Sequence, residues 1–461
     1  MIEAWRGVLN RWTSARYGSV NWKIFTAMLT VGGFHLIVSA VTAGKDLIVA
    51  HAFGTSDAMD AFLIAFLLPS LAINIVTGAF HSAFVPEFVK TREEQGPATA
   101  GRLFSNILGW YLILLFLLSL LMFVIAPFIV PMLGTGFEPE KLALAKSLFF
   151  LLIPTLLMSG VIKAWGSVFN AGERFALPTA SPALTHIVTI LVLLGIGKTW
   201  GIHALAGGMV AGLFFEACVL IWGLRAQGHF ILPKLSRMDD ATRKIIRQYF
   251  PMIVGLLLMG STAFVDQTMA AMIGAGSVSA LNYGNKVVLF ILGIGSLALS
   301  TAIFPHFSRM VAQQDWQALR HTLKTYARII VAATIPLTVM LVVFSEPLIH
   351  IIFERGAFTA EDTRLVGKVQ AFYVLQLPFY ILGILIVRVL SALAKNQILM
   401  VIGGVNLIVN IAGNYVCIQY WGVAGIGLST SFVYLLSTVL SFLALNHQLR
   451  KKEQMTARAH A

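Results

Sequence analysis

Long apolar stretches are the feature that most constrains how this chain folds. A helix needs about 20 predominantly apolar residues to cross the hydrocarbon core of a bilayer. About twelve stretches of the sequence meet that requirement. They predict an all-α polytopic membrane protein with about twelve transmembrane helices in two six-helix bundles. The stretches lie at roughly 24–48, 58–82, 104–132, 145–168, 180–197, 203–224, 250–273, 279–306, 326–351, 366–390, 397–418 and 423–446.

Composition excludes the soluble classes of protein. Of the 461 residues, 58% are hydrophobic and only 11% are charged, and the mean hydropathy is +0.83. A soluble chain of this length cannot bury so much apolar surface. The net charge of +13 is typical of the basic cytoplasmic loops of membrane proteins, so we expect no nucleic-acid partner. Cys218 and Cys417 lie in apolar stretches, which favours small core residues over a disulfide or a metal site.

The two halves of the chain share a sequence pattern. Matching residues recur at a nearly constant offset of 219 to 221 positions, which indicates an internal repeat of about half the chain. Apolar repeats with similarly placed charges are typical of transporters that bind their substrate between the two halves. The matched pairs include Asp46 with Asp266, Gly54 with Gly274, Asp60 with Ser279, Pro86 with Pro305, and Gly201 with Gly422.

The repeat and the polar segments predict the domain organisation. An interfacial N-terminal segment (1–23) precedes the first bundle (24–224), and a cytoplasmic amphipathic connector (225–249) precedes the second bundle (250–447) and a basic cytoplasmic tail (448–461). With both termini in the cytoplasm, the inside loops hold about 25 of the 33 Lys and Arg residues, as the positive-inside rule requires. We therefore expect a multi-pass protein of the bacterial cytoplasmic membrane with both termini inside.

Polar side chains follow one face of several predicted spans. Because such groups are costly inside a bilayer, they are the best indicators of function. Helical spacing aligns four of them in the first span and four in the second. Four helices, the first two of each half, should thus face a hydrated cavity between the halves. The aligned groups are His35, Ser39, Thr42 and Asp46; Ser70, Asn74, Thr77 and His81; Thr262 and Asp266; and Asn282 and Lys286.

Structural alternatives stand beside these functional readings. Lys45 and Asp46 are also explained by an interfacial pair with a snorkelling lysine, and Asp60 by a favourable position at a helix start. Asp266 lies in mid-span, where pairing with Lys286 would account for it. Glu216 and Arg388 are each explained either as a partner in a buried ion pair or as a residue that binds a ligand. The repeat pairs Thr185 with Asn406 and Thr189 with Asn410, and Asn414 extends that row; we expect all of these to hold helices together.

Motifs for enzymatic chemistry are absent from the sequence. It contains no Walker loop, GxSxG, HExxH or CxxC motif. The loops outside the membrane are too short for a catalytic domain. We therefore expect a transporter without an organic cofactor, driven by an ion gradient, the membrane potential or substrate flux.

Several motifs identify a family resemblance. The run from Lys45 to Gly54, then Asp60-Ala61-Phe62, Gly78 to Pro86, and Phe353 to Thr359 resemble the MurJ/MviN family of lipid II flippases. That family belongs to the MOP superfamily, which also contains O-antigen flippases and MATE exporters. The resemblance implies alternating access and a cargo of undecaprenyl-diphosphate-linked glycan.

The resemblance also implies a set of site residues. Lys45 and Lys286 fall at cavity arginines of the family, and two cations suit a diphosphate. The sequence departs from the family at Ser39 and at Ile73-Asn74, where arginines are usual, and it has no counterpart of two further C-terminal helices. The expected substrate-binding residues are Lys45, Lys286, Ser39, Asn74, His81, Asn282 and Arg388; those expected to balance charge or bind a coupling cation, Na⁺ or H⁺, are Asp46, Asp60, Asp266 and His35.

The leading hypothesis is a flippase for a lipid II-like precursor, with polyprenyl-diphosphate-linked glycan and membrane lipids as its ligands. One alternative is a flippase specific for an exopolysaccharide or O-antigen precursor. Another is a cation-coupled, MATE-like multidrug exporter that uses Asp266 and His35. A third alternative is a non-transporting scaffold in an envelope-assembly complex. If the protein is a flippase, we also expect envelope-assembly enzymes as partners.

Overall fold

The computed structural model describes residues 20–226, 232–235, 240–302 and 304–460. Within these residues the regular structure is helical, and no strand is found. The helices are α1 Val20–Phe53, α2 Asp57–Gln95, α3 Pro97–Leu133, α4 Pro139–Leu152, α5 Pro154–Ala171, α6 Ala176–Ala180, α7 Pro182–Trp200, α8 Ile202–Ala226, α9 Asp240–Ala271, α10 Ser277–Ala302, α11 Phe304–Ala312, α12 Trp316–Val343, α13 Ser345–Phe353, α14 Ala360–Val374, α15 Leu377–Ala392, α16 Asn396–Trp421 and α17 Val423–His460.

The helices confirm an all-α polytopic membrane protein. In the described ranges, ten helices are long and apolar enough to cross a bilayer. The pair Thr242–Leu257 and Gly260–Ala271, bent by 41°, raises the number to eleven if it is one span. The eighth predicted stretch coincides with α10. The predicted interfacial segment lies mostly outside the described residues, since these begin at residue 20.

The repeat is visible in local geometry. Gly201 ends α7 with φ +54° and ψ −133°, and Gly422 ends α16 with φ +56° and ψ −141°. Each glycine donates its N–H over 2.9 Å to the carbonyl four residues earlier. This backbone conformation is accessible mainly to glycine. The offset of 221 residues seen in the sequence therefore reflects the same helix ending in both halves.

Proline residues divide some predicted spans but not others. Pro154 begins α5 and Pro378 lies in the first turn of α15, where the missing N–H costs nothing. Pro251 and Pro336 instead lie inside the continuous helices α9 and α12. The fourth predicted span is thus two helices, α4 and α5, that meet at Pro154.

The chain forms two compact units, which we call unit 1 and unit 2. Unit 1 contains the described residues up to Ile48 together with Ala72–Val124 and Phe150–Met252. Unit 2 contains Val49–Leu71, Ile125–Phe149 and the chain from Ile253 onward. Short pieces of the first sequence half therefore belong to the same unit as the second half. The domain boundaries expected from the sequence stay a prediction.

In unit 1 the connector packs against α2 and α3. The Lys234 N–H donates to the Ser105 carbonyl over 3.0 Å, and the Tyr249 hydroxyl donates to the Val76 carbonyl over 2.9 Å. Lys244 forms an ion pair with Glu87. The sequence suggested a separate connector helix ending near residue 249, but α9 runs from Asp240 through Pro251 into the seventh span. The seventh span is therefore a direct continuation of the connector.

In unit 2 two of the family-like motifs meet. The Ala357 N–H donates to the His51 carbonyl over 2.8 Å. Gly54, with φ +52°, lies against the backbone of Ala357, and Gly356, with φ +64°, lies against His51. A side chain on either glycine would overlap these neighbours. The glycines are thus required both by backbone conformation and by close approach.

We expect Gly54→Ala to destabilise the protein by about 1–3 kcal/mol, because alanine disfavours positive φ and its Cβ would meet the Ala357 carbonyl. Gly44→Ala, in α1 ten residues before Gly54, is the matched control, since a Cβ there has no neighbour within 4 Å. Melting temperatures in detergent test both variants. An unchanged melting temperature for Gly54→Ala would contradict the close approach.

Candidate functional site

Asp60 is a fully buried carboxylate in unit 2. It belongs to the first turn of α2, yet its oxygens bond to the start of α10. Oδ2 accepts from the Gly276 N–H over 2.8 Å, and Oδ1 accepts from the Ser279 N–H over 2.8 Å and from the Ser279 hydroxyl over 2.7 Å. A carboxylate at this position satisfies the unpaired N–H groups of a helix start and is stabilised by the helix dipole.

Lys141 of α4 completes this arrangement. Its ammonium lies 2.8 Å from Asp60 Oδ2, also pairs with Asp57, and lies 4.2 Å from the centre of the Phe137 ring. The sequence favoured a helix start or a cation ligand for Asp60 and gave no indication of Lys141. The internal repeat pointed to the other partner of Asp60, because Asp60 and Ser279 are repeat counterparts and the Ser279 hydroxyl donates directly to Asp60.

Asp266 forms a second polar cluster in unit 2. It lies in α9 and is only 5% exposed. Oδ1 accepts from the amides of Asn410, over 3.0 Å, and Asn414, over 2.7 Å, and Oδ2 accepts from the Thr430 hydroxyl over 3.1 Å. The expected pairing with Lys286 is wrong, since the described contacts of Asp266 contain no cation. Asn410 and Asn414, which we expected to hold helices together, are its partners.

Two oxygens of the Asp266 cluster have unmet bonding capacity. The side-chain oxygens of Asn410 and Asn414 are buried and have no hydrogen-bond partner among the described residues. Carboxylate, amide and hydroxyl oxygens are the ligands that hard cations prefer. The cluster therefore suits a monovalent cation or a proton. The described residues hold no group of three or more His, Cys, Asp or Glu residues that could bind a metal.

Unit 1 contains the predicted pair of charges in α1. Lys45 Nζ lies 2.9 Å from Asp46 Oδ1, and the two side chains are 23% and 17% exposed. Lys45 is therefore neutralised by its neighbour and keeps some exposure, which suits a cation that can change its partner.

The other predicted site residues differ in exposure. On α1, His35 is exposed and Ser39 is half-buried. On α2, Asn74 is exposed, and the His81 imidazole contacts the Ser167 hydroxyl over 2.9 Å. In unit 2, Asn282, Lys286 and Arg388 are half-buried. Lys286 Nζ lies 5.1 Å from the centre of the Tyr283 ring.

Glu216 is a buried carboxylate of unit 1. It accepts hydrogen bonds from the Ser181 hydroxyl over 2.9 Å and the Thr185 hydroxyl over 2.6 Å. The repeat places Asn406 and Ser437 at the corresponding positions, and these side chains are also bonded, over 3.0 Å. The Thr185 bond to this carboxylate joins α7 to α8, which agrees with the expected role of Thr185 in holding helices together.

Comparison with known proteins identifies the family. The family model described as lipid II flippase MurJ matches residues 49–461. The chain belongs to the MurJ family. Its membership and its apolar helices make it a multi-pass inner-membrane protein with the fold of a transporter.

Curated relatives cover most of the chain. A probable lipid II flippase MurJ of Synechocystis sp. is 29% identical, over 88% of this chain and 78% of its own length. The lipid II flippase MurJ of Burkholderia cenocepacia is 26% identical, over 92% of this chain and 84% of its own length.

Solved structures show the same fold. A lipid II flippase MurJ in an inward closed conformation has a TM-score of 0.79 at 22% identity and covers 91% of this chain and 87% of its own. An inward-facing MATE multidrug transporter has a TM-score of 0.73 at 11% identity and covers 92% and 99%. These matches show that the chain shares its fold with both transporters.

We expect Asp60→Ala to lower the free energy of unfolding by about 3–5 kcal/mol, because the Lys141 ammonium and the start of α10 lose a buried partner. Asp57→Ala is the matched control. It removes an exposed partner of the same lysine, for which about 0–1 kcal/mol is usual. Thermal unfolding in detergent compares the two, and equal effects would contradict the role of Asp60.

Proposed function

We propose that this protein is a flippase that moves an undecaprenyl-diphosphate-linked glycan, of the lipid II type, from the cytoplasmic to the outer leaflet by alternating access. Membership of the MurJ family and the transporter fold support this proposal. Lys45 lies in α1, which is apolar enough to cross a membrane, and Lys286 lies in α10. These two lysines, which the family resemblance suggests as cavity cations, are the observation that carries the proposal. A diphosphate is the anionic group of the cargo that two such cations suit.

The Lys45–Asp46 pair suggests how the site binds an anion. In the pair, a carboxylate of the same helix holds the ammonium. A diphosphate offers several charged oxygens and can take the place of this carboxylate. Binding then exchanges one anionic partner for another, so Lys45 need not be buried as an unpaired charge at any stage.

The Asp60 network supports a cycle between two conformations. It joins α2 and α4 to the start of α10 through one buried carboxylate. Such a network is stable only when all its bonds are made together, which makes it a two-state element. In the proposed cycle this network is intact in one conformation and broken in the other.

For energy coupling we propose the Asp266 cluster as the cation site. Asp266 supplies the negative charge, and Asn410, Asn414 and Thr430 supply neutral oxygens. The partnerless amide oxygens are the observation that favours Na⁺. A proton would bind to the carboxylate itself. Asp46, Asp60 and His35 remain proposed for charge balance, with both termini in the cytoplasm and envelope-assembly enzymes as further partners.

Two other functions remain as outcomes of the tests. At Ser39 and at Ile73-Asn74 the sequence lacks the arginines that are usual in the family. These departures favour an exopolysaccharide or O-antigen precursor as the alternative cargo. The MATE structures show a shared fold, and a MATE-like exporter would depend on Asp266 and not on the lysines.

A rescue experiment tests the leading function. In a bacterium depleted of its native lipid II flippase, this protein should restore the accessibility of lipid II at the outer leaflet. The double variant Lys45→Ala with Lys286→Ala should lose this activity by about 100-fold, because each charge-assisted contact is worth about tenfold.

Matched variants make the rescue decisive. Lys45→Arg with Lys286→Arg keeps both charges and should retain activity, and membrane insertion of every variant is checked by blot. Full activity of the double alanine variant would refute the assignment of the lysines. If the inserted wild-type protein does not rescue the strain, the cargo is a different lipid-linked glycan. The lipids that co-purify with the protein would then identify it.

We expect Asp266→Asn to remove the response to the coupling cation, since the cluster then lacks its negative charge. Binding of Na⁺ should raise the wild-type melting temperature relative to choline at equal ionic strength. Glu216→Gln, which alters another buried carboxylate, should keep this response. Dependence of flipping on a proton gradient alone would identify H⁺ instead, and an unchanged response in Asp266→Asn would exclude this site.

A further inference from the structure

Lys163 is a charged residue within a membrane-spanning segment that the site described above does not include. It lies in α5, in the span Pro139–Ala171, and its side chain is exposed. Eight residues separate it from Ala171, which places it about 12 Å from the end of the helix. The described part of the chain gives Lys163 no side-chain hydrogen bond and no ion pair. A lysine in this position is costly, which indicates a polar environment or a ligand.

The face of α5 that carries Lys163 is the face that meets the polar stripe of α2. Ser167, one turn further along α5, contacts His81 over 2.9 Å and is almost fully buried. The stripe continues from His81 through Thr77 to Asn74, which is exposed. Lys163 precedes Ser167 by four residues, and the Ser167 hydroxyl donates to the Lys163 carbonyl over 2.8 Å, so the two residues share the face of α5 that meets this stripe.

Two structural roles explain Lys163 less well. A buried ion pair would require a carboxylate partner, and no carboxylate of the described residues forms an ion pair with Lys163. Glu216, a buried carboxylate of the same unit, instead accepts hydrogen bonds from Ser181 and Thr185. A snorkelling lysine would direct its ammonium toward the near membrane surface. Toward that surface the same face of α5 is covered by protein, because Ser167, one turn further along, is buried and contacts His81 over 2.9 Å.

Chain order places Lys163 and Lys45 in opposite halves of the membrane. Lys45 lies eight residues before Phe53, where α1 ends, so it is about 12 Å from that end. The chain then crosses the membrane in α2, returns in α3, and crosses again through α4 and α5. The end of α5 is therefore on the side opposite to the end of α1. Unit 1 thus has two lysines at two different depths.

We propose that Lys163 is a further binding residue for the anionic diphosphate of the carried lipid, with His81 as a neighbouring hydrogen-bonding group. This inference rests on the proposed function. Lys45 is paired with Asp46 in this conformation, whereas Lys163 is available to an anion that enters from its own side of the membrane. The diphosphate would be bound first at Lys163 and then at Lys45, at successive depths of unit 1.

Binding to the full-length purified protein tests the inference. The probes are lipid II, undecaprenyl diphosphate and neutral undecaprenol, titrated in detergent and followed by native mass spectrometry. The variants are Lys163→Met, Lys163→Arg and, as a matched control, Lys198→Met, which alters another exposed lysine of unit 1. Flipping of lipid II by each variant is measured in the depleted strain.

We expect diphosphate lipids to bind more weakly only when the positive charge at position 163 is removed. Lys163→Met should bind both diphosphate lipids about tenfold more weakly and bind undecaprenol as the wild type does. Lys163→Arg and Lys198→Met should bind and flip normally. If Lys163→Met inserts poorly, Lys163→Gln supports the same comparison, because it keeps a polar side chain.

The contrary results separate the two proposals. Normal binding and flipping by Lys163→Met, with an active wild-type protein, would overturn the role of Lys163 alone. A wild-type protein that neither binds nor flips these lipids would overturn the proposed function, and the role of Lys163 with it.

Discussion

A carboxylate inside a bilayer must find hydrogen-bond donors, and this requirement determines which helices meet in the protein. Asp60, Asp266 and Glu216 are each buried, and each takes its donors from other segments of the chain. The donors of Asp60 come from α4 and the start of α10, and those of Asp266 come from α16 and α17. Because an unmet buried charge costs several kcal/mol, about as much as a domain's whole stability, these contacts must be made in the folded protein.

The internal repeat distributes these contacts unequally. Gly201 and Gly422 end their helices in the same way, and the bonded pairs Thr185–Glu216 and Asn406–Ser437 occupy matching positions. The charge differs, however, since the first-half pair contains a carboxylate and the second-half pair does not. Among the described residues of the second half, the buried carboxylate is Asp266 of α9. The matching positions of the repeat therefore share a bonded pair of side chains but not a charge.

The three carboxylates have different chemical environments, which suit different roles. Asp60 has a full set of donors and an ammonium partner, so it suits a structural element that forms or breaks as a whole. Asp266 has neutral partners with spare oxygens, which suits exchange with a cation. Among the described residues, Glu216 bonds to the hydroxyl groups of Ser181 and Thr185. Lys45 is paired with Asp46 and remains partly exposed, so it can exchange this partner for another anion.

Sequence alone determined the fold class, the repeat and the family, because apolar length, spacing and motifs are local properties of the chain. The apolar stretches predicted the helices, and the run from Lys45 to Gly54 with Phe353 to Thr359 indicated the family before any contact was known. The tertiary structure decided the partners. Asp266 bonds to Asn410 and Asn414 and not to Lys286, and Asp60 bonds to Lys141 and Ser279. Helical spacing shows which side chains share a face, but a partner on another helix depends on how the helices pack, which no single segment encodes.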